Sequence, residues 1–247
     1  MKKNTLIVGN WKMQTSLKEG RELAQELESA LAAEDAEVVV CPPFTHLSSI
    51  KTHLRKIKLG AQDLFWEERG AYTGEISPLT LREIGCSYVI VGHSERRQYL
   101  AETDKMANQK VKAALAHSLK PILCVGESKS EREKDQTLEI VEKQLRLALD
   151  GVNDLAELII AYEPIWAVGS GKTPDPSDAN NVARYLKQVI EKKYPKQDKE
   201  SVRILYGGSV NGKNVHSFVA QEDLSGVLVG GESVDSDEFI KIIKNLM

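Results

Sequence analysis

The sequence contains no long apolar run. None of its apolar stretches approaches the ~18 consecutive apolar residues that a transmembrane helix needs. Near the N-terminus, the run Leu6-Ile7-Val8 is followed by Gly9 and Asn10 and is too short to be the apolar core of a signal peptide. We therefore expect a cytoplasmic protein that does not bind membranes.

Cysteine and histidine are also scarce. The three cysteines, Cys41, Cys86 and Cys124, form no CxxC pair and lie in or beside apolar runs. This distribution is typical of buried free thiols in a reducing compartment. The five histidines form no HExxH or similarly spaced pair, so the sequence gives little support for a metal site. We expect neither a metal ion nor a cofactor.

A strong excess of charge of one sign is missing as well. The net charge is -3, and the basic residues are scattered along the chain instead of forming a stripe. This gives no reason to expect nucleic acid or an anionic membrane as a partner. With 41% hydrophobic and 28% charged residues, the composition is that of an ordinary globular protein. At 247 residues, the chain fits two small domains or one barrel of roughly 250 residues.

What the sequence does contain is a series of short apolar runs rich in β-branched residues. Most of these runs are continuously apolar, which is typical of parallel strands that are covered on both faces. The eight runs begin at Thr5, Glu37, Ile57, Tyr88, Pro121, Leu158, Arg203 and Gly226.

Helical patterns lie between these runs. Apolar residues recur there at spacings of three and four, as in Leu23, Leu27 and Leu31, in Leu138, Val141, Leu145 and Leu149, and in Val182, Leu186 and Val189. Ser16 with Glu19 forms a capping box, and Asp175 offers a second helix start. Strand and helix alternate eight times with no linker-like stretch, which favours a closed (β/α)8 barrel of the α/β class. We expect a single catalytic domain over residues 1–247, with a doubly wound open sheet as the alternative.

The residues that end the strands carry the chemistry, because the reaction centre of such a barrel lies at the C-terminal ends of its strands. The first strand ends in Asn10, with Lys12 two positions later; the fourth ends in His93 and the sixth in Glu163. The seventh and eighth strands end in glycine pairs. An amine, an imidazole, a carboxylate and two glycine turns at one rim indicate a site for an anionic substrate that undergoes proton transfer.

The glycine turns predict a phosphate site, because glycine exposes backbone N–H groups, and barrels often bind phosphate after strands seven and eight. The residues that fit this role are Gly208, Ser209, Gly230 and Gly231. The stretch "GSGKT" suggests a nucleotide-binding P-loop instead, which requires a glycine five positions before Gly171. That position is Trp166, so the spacing excludes a P-loop.

Five motifs, taken together, resemble the triosephosphate isomerase family over essentially the whole chain. They are "GNWKM" from Gly9, "VGHSERR" from Val91, "AYEPIWAVGSGKT" from Ala161, "YGGSV" from Tyr206 and "LVGGES" from Leu228. The resemblance implies a TIM barrel and an isomerase of glycolysis and gluconeogenesis. Its reaction would interconvert dihydroxyacetone phosphate and D-glyceraldehyde 3-phosphate through an enediolate.

The resemblance also implies a role for each residue at the strand ends. Glu163 would be the base that moves a proton between adjacent carbons. A neutral His93 would polarise the carbonyl, assisted by Asn10 and Lys12, and Lys12 would also neutralise the phosphate. Glu95 is similar to the family's partner for the Lys12 region.

A lid and a dimer contact are implied in the same way. The lid would comprise Trp166, Ala167, Val168, Gly169, Ser170, Gly171 and Lys172, with Gly169, Ser170 or Gly171 donating a backbone N–H to the phosphate. Residues 64–77 form a loop that is longer than usual and that carries three aromatic residues. In the family the corresponding loop docks beside the partner's active site. We therefore expect a homodimer in which Thr73 contacts the neighbouring subunit.

Three positions depart from the pattern of the family. Asp63 stands where asparagine is more frequent, Leu100-Ala101 replaces an aromatic–glycine pair, and Glu232 follows Gly231 where a small residue is usual. None of them is a catalytic position, but Glu232 places a carboxylate beside the expected phosphate site.

Two rival functions use the same residues. In a barrel lyase or aldolase, Lys12 would form a Schiff base that borohydride traps. In a non-catalytic sensor of phosphate ligands, replacing Glu163 would leave ligand affinity largely intact.

Overall fold

The computed structural model describes residues 5–31, 36–168, 173–198 and 201–246, and its centre is a closed barrel of eight parallel strands in chain order. β1 pairs with β2 on one side and with β8 on the other, which closes the sheet. The (β/α)8 prediction is therefore confirmed, and the open sheet is excluded. The strands are β1 (Leu6–Asn10), β2 (Glu37–Cys41), β3 (Lys58–Ala61), β4 (Tyr88–Val91), β5 (Lys120–Val125), β6 (Ile159–Tyr162), β7 (Arg203–Tyr206) and β8 (Gly226–Val229).

Helices connect the strands around the outside of the barrel. They are α1 (Leu17–Ala30), α2 (Leu47–Lys51), α3 (Pro78–Ile84), α4 (Ser94–Leu100), α5 (Asp104–Ala116), α6 (Lys129–Arg132), α7 (Thr137–Ala148), α8 (Pro176–Lys193), α9 (Val215–Val219) and α10 (Ser236–Lys244). Short 3₁₀ helices cover Phe44–His46, Ile165–Ala167 and Gly231–Val234. In the described residues, no helix has the length and apolar character needed to span a membrane.

The local signals for helix starts and helix faces are mostly confirmed. Ser16 and Glu19 form the capping box of α1, and Asp175 caps α8. The predicted apolar positions of α1 and α8 are buried. Leu138 is the exception: it is 42% exposed, because the second residue of α7 faces solvent while Val141 and Leu145 face the barrel.

The apolar core has two layers, one inside the barrel and one between the strands and the helices. Along β1, Leu6 and Val8 point into the barrel, whereas Ile7 packs in the outer layer. This alternation places both faces of each strand in apolar surroundings, which is why the runs are continuously apolar. The free cysteines are buried, with Cys41 and Cys124 inside the barrel.

Parallel pairing brings the C-terminal ends of all the strands to one rim. Asn10 is the last residue of β1, and Glu163 follows directly on β6. His93 follows β4 by two residues, and Gly230 follows directly on β8. The residues predicted from strand ends therefore face one another across the barrel mouth.

Candidate active site

A cavity of about 320 Å³ opens at this rim. Its lining includes most of the residues that the strand ends predict, namely Asn10, Lys12, His93, Glu163, Val168, Gly208, Ser209, Gly230 and Gly231. Four predicted phosphate or lid residues, Gly169, Ser170, Gly171 and Lys172, lie outside the described residues. Of the other predicted residues, Glu95, Trp166, Ala167 and Thr73 do not line the cavity.

His93 is fixed in one tautomer by the start of α4. The residue is the N-cap of that helix, and its Nδ1 accepts a hydrogen bond from the Glu95 N–H at 3.2 Å. In a neutral ring the proton must then be on Nε2, which lies 3.2 Å from Oε1 of Glu163. The ring nitrogen of His93, and not the Ser94 hydroxyl, caps this helix.

Glu163 is a buried carboxylate that is held by donors. Only 2% of the residue is exposed, and its Oε2 accepts a hydrogen bond from the Ser94 N–H at 3.1 Å, while Oε1 faces His93. Burial, together with the Glu163 carboxylate beside it, raises the pKa of the Cys124 thiol, so this neighbour adds no negative charge. Pro164 biases Glu163 toward extended backbone, which aims the side chain from the end of β6.

Two glycines make room for this carboxylate. A Cβ atom on Gly207 would lie 2.8 Å from Cγ of Glu163, and one on Gly126 would lie 1.8 Å from the Glu163 carbonyl oxygen. Both distances are shorter than atoms tolerate, so only glycine allows the neighbouring strand ends to approach Glu163. The glycine pair after β7 therefore serves the base as well as the predicted phosphate site.

Lys12 adopts a strained backbone that two side chains hold in place. Its φ of 52° is uncommon for a residue other than glycine. The Lys12 N–H donates to Oδ1 of Asn10 at 3.1 Å, and Nε2 of Gln62 donates to the Lys12 carbonyl at 2.7 Å. The ammonium lies 2.5 Å from Oε1 of Glu95 and borders Gly230, where a Cβ atom would be 3.2 Å from Cε of Lys12. The predicted contact between Glu95 and Lys12 is thus present.

The stretch that leads into the predicted lid is anchored by a buried acid. Trp166 donates through Nε1 to Glu127 at 2.8 Å, and the Tyr162 hydroxyl donates to the same carboxylate at 3.1 Å. Burial raises the pKa of Glu127, although these hydrogen bonds partly oppose the shift. The Arg132 guanidinium stacks 5.3 Å above the Trp166 ring, and Oγ of Ser209 donates to the Ala167 carbonyl at 2.7 Å.

The strand-end argument missed several residues of this site. Glu127 follows β5 by two residues, and applying the same rule to "CVGE" would have found it. Asn211 and Thr173 line the cavity but lie further from a strand end, where the sequence carries no comparable signal. Leu228 also lines it, from within β8, where its apolar character indicates only core.

Comparison with known proteins agrees with this geometry. Residues 5–246 match the family model described as triosephosphate isomerase. The chain belongs to the triosephosphate isomerase family. It is 51% identical over 242 residues to the triosephosphate isomerase of Thermoanaerobacter pseudethanolicus, an alignment that covers 96% of this chain and 98% of the relative. The triosephosphate isomerase of Caldanaerobacter subterraneus is 50% identical over the same length and the same shares of the two chains.

Similarity extends to more distant members of the triosephosphate isomerase family. The protein of that name from Dictyoglomus thermophilum is 44% identical over 245 residues, which cover 97% of this chain and 98% of the relative. With this identity over nearly the whole chain, the protein is an isomerase enzyme. Each of the five motifs that carried the resemblance contributes at least one described residue to the cavity lining.

Proposed function

We propose that this chain interconverts dihydroxyacetone phosphate and D-glyceraldehyde 3-phosphate, the isomerisation step shared by glycolysis and gluconeogenesis. One observation carries the proposal: a buried carboxylate, Glu163, and the Nε2–H of His93 lie 3.2 Å apart at the mouth of a barrel. A base and a hydrogen-bond donor at this separation fit a substrate with an acidic proton on the carbon next to a carbonyl group. The base can take that proton while the donor binds the carbonyl oxygen.

Particular side chains carry out each step of the proposed reaction. Glu163 removes a proton from C1 of dihydroxyacetone phosphate, and the electron pair moves to the carbonyl oxygen to form an enediolate. The Nε2–H of His93 donates to that oxygen, with help from the side chains of Asn10 and Lys12. Glu163 then returns a proton to C2, while the hydroxyl proton on O1 passes to O2 by way of His93, so that C1 becomes the aldehyde carbonyl and O2 the hydroxyl. Donors that are already in place stabilise the developing oxyanion without reorganisation, which is where such a site gains most of its rate.

The phosphate group is held at the opposite end of the cavity. Lys12 supplies the positive charge, while Ser209, Gly230 and Gly231 supply donors from the turns after β7 and β8. Gly169, Ser170 and Gly171 complete the set when the lid, Trp166 to Lys172, lies over the substrate. The lid excludes water from the enediolate, whose phosphate would otherwise be eliminated.

The working unit of this proposal is a homodimer of one catalytic domain per chain, residues 1–247, in the cytoplasm. Thr73 is exposed on the long loop. In the proposed dimer it contacts the partner beside the partner's active site. On that loop, Phe65 stacks on Trp66 with ring centroids 4.0 Å apart, and Tyr72 lies 4.6 Å from Phe65. This aromatic cluster stiffens the loop that carries Thr73.

A coupled assay for triose phosphate interconversion tests the function. Protein purified free of host isomerase should convert each triose phosphate into the other with no added metal or cofactor. Borohydride with a ketone substrate should give no adduct on Lys12, because this mechanism forms no covalent intermediate. A trapped lysine adduct would support the lyase instead, and tight phosphate binding without turnover would support the sensor.

A further inference from the structure

The turn after β8 carries a carboxylate to the rim of the cavity. The Ser233 N–H and Oγ both donate to the Gly230 carbonyl, at 2.9 and 2.6 Å, and close a tight turn. Gly231 and Glu232 are the two central residues of that turn, and both are exposed and line the cavity. A Cβ atom on Gly231 would meet no atom within 4 Å, so the turn faces open space. Glu232 therefore lies at the glycine end of the cavity.

Within the described ranges, the Glu232 carboxylate is not neutralised by another side chain. No residue in the described ranges forms a hydrogen bond or an ion pair with it, in contrast to Glu95, which binds Lys12. An exposed carboxylate of this kind is negatively charged at neutral pH. It has no structural partner that would explain its presence at this position.

The cavity also contains little positive charge that could offset this carboxylate. Among the described lining residues, Lys12 is the only lysine or arginine, and Glu163 is a second carboxylate. The Lys12 ammonium is already 2.5 Å from Glu95. The described part of the cavity is therefore negative before an anionic ligand enters.

We propose that Glu232 is a specificity-determining residue that disfavours doubly charged phosphate ligands relative to singly charged ones. The inference rests on the proposed function, which places the phosphate beside Gly230 and Gly231. One carboxylate repels a dianion about twice as strongly as a monoanion at the same distance. Exposed charges are screened over a Debye length of ~10 Å at 0.1 M salt, so the discrimination is largest at low ionic strength.

The test compares Glu232→Gln with a matched control, Asp237→Asn. Asp237 is an exposed acid five residues further on, in the first turn of α10, and is not part of the cavity. The ligands are glycerol 3-phosphate, a dianion at pH 8, and its phosphate methyl ester, a monoanion. Their inhibition constants and the KM for glyceraldehyde 3-phosphate are measured at about 10 mM and about 0.3 M ionic strength.

In Glu232→Gln, the inhibition constant of the dianion and the KM should fall about threefold or more at low salt, with a smaller change for the methyl ester. The changes should shrink at high salt, kcat should stay within about twofold, and Asp237→Asn should behave as wild type. Unchanged binding in Glu232→Gln, or an equal shift in Asp237→Asn, would overturn the inference. Calorimetric titration with glycerol 3-phosphate measures the same effect of charge on binding without turnover. A chain that binds this ligand but has no isomerase activity would therefore contradict only the proposed function.

Discussion

At the scale of single residues, two positions near the active site adopt left-handed backbone without being glycine. Lys12 has a φ of 52° and Ala101 a φ of 54°. This conformation costs an L-residue roughly 1–2 kcal/mol. For Lys12 the strain accompanies a proposed function, because Asn10 and Gln62 hold its N–H and carbonyl and so aim the ammonium. Ala101 is only the exposed C-cap of α4, so its strain can be removed without cost to the site.

Ala101→Gly should raise the free energy of unfolding by about 0.5–1 kcal/mol, because glycine adopts this conformation freely. Ala116→Gly is the matched control: Ala116 is an exposed residue of α5 with helical backbone, where glycine should destabilise by up to about 1 kcal/mol. Urea unfolding of both variants measures the difference. Equal destabilisation by the two substitutions would show that Ala101 is not strained.

Asp63 belongs to a largely buried group of four charged side chains. Lys110 donates to both oxygens of Asp63 at 2.7 and 2.8 Å and to Oε2 of Glu102 at 2.6 Å. Arg96 binds the same two carboxylates. Burial raises the pKa of Asp63 to about 6, with Lys110 opposing the shift. Burial acts to raise the pKa of Glu102 as well, but the charges and hydrogen bonds of Lys110 and Arg96 together outweigh it and lower the pKa of that carboxyl.

Asp63→Asn should therefore stabilise the fold at neutral pH. The folded protein binds a proton at Asp63 more tightly than the unfolded chain does, so the ionised carboxylate lowers stability above about pH 6. An asparagine removes this cost, which is on the order of 1–3 kcal/mol. The gain should be present at pH 7.5 and shrink as the pH falls from about 6 toward 4. Urea unfolding across this range checks it; lower stability of the variant at pH 7.5 would contradict the argument.

At the scale of elements, the connection from β4 to α4 shows what sequence reasoning could not reach. Gly92, with a φ of 71°, donates its N–H to Glu102 at 2.9 Å and accepts from Nε of Arg97 at 2.7 Å. These side chains come from residues further along the chain and fix the backbone before His93. The ends of the two elements could be predicted from local signals. The tautomer of His93 could not be predicted, because it depends on which ring nitrogen accepts the hydrogen bond from the first turn of α4.

The segment after β6 supports a prediction about the lid. Deleting residues 168–171 should leave the thermal midpoint nearly unchanged, because Trp166 remains bound to Glu127 and the barrel is not altered. Isomerisation should fall sharply, and a larger fraction of turnovers should release methylglyoxal and inorganic phosphate, since water reaches the enediolate. The product ratio is the measurement. Normal isomerisation, or lost activity with no rise in phosphate release, would show that this segment is not a water-excluding lid.

At the scale of the whole molecule, the barrel could be predicted from the sequence, but the hydrogen bonds at its mouth could not. Each strand of a parallel barrel is apolar on both faces, so the eight runs stand out from the sequence and closure follows from their number. The convergence of Asn10, His93 and Glu163 follows from the same topology, because every strand ends at one rim. The hydrogen bond from the Ser94 N–H to Glu163 could be identified only from the folded structure.

Exposed apolar side chains support the proposed dimer. Met13 is 93% exposed, Tyr99 72% and Tyr72 44%. Met13 follows β1, Tyr99 lies in the last turn of α4 and Tyr72 lies on the long loop. Exposed apolar residues that form a contiguous patch mark interaction sites, whereas single ones are normal. We expect this surface, together with Thr73, to lie in the interface.

Thr73→Arg should weaken the dimer, because a long charged side chain would have to be buried against the partner. Leu147→Arg is the control: Leu147 is 46% exposed on α7, outside the proposed interface. Sedimentation equilibrium at micromolar concentration should show a dimer for wild type and Leu147→Arg, and a larger monomer fraction with lower kcat for Thr73→Arg. A wild-type chain that is a fully active monomer would refute the proposal.

The central claim is that Glu163 carries the proton between the two carbons, and hydrogen exchange tests it directly. In D2O, proton NMR follows the loss of the C1 proton of dihydroxyacetone phosphate and the appearance of deuterium at C2 of the product. Wild-type protein should do both rapidly, because a proton held on the carboxylate can exchange with solvent. Glu163→Gln, with its fold intact, should slow C1 proton loss by about 10²–10⁴. C1 proton loss in Glu163→Gln within about threefold of the wild-type rate would contradict the account.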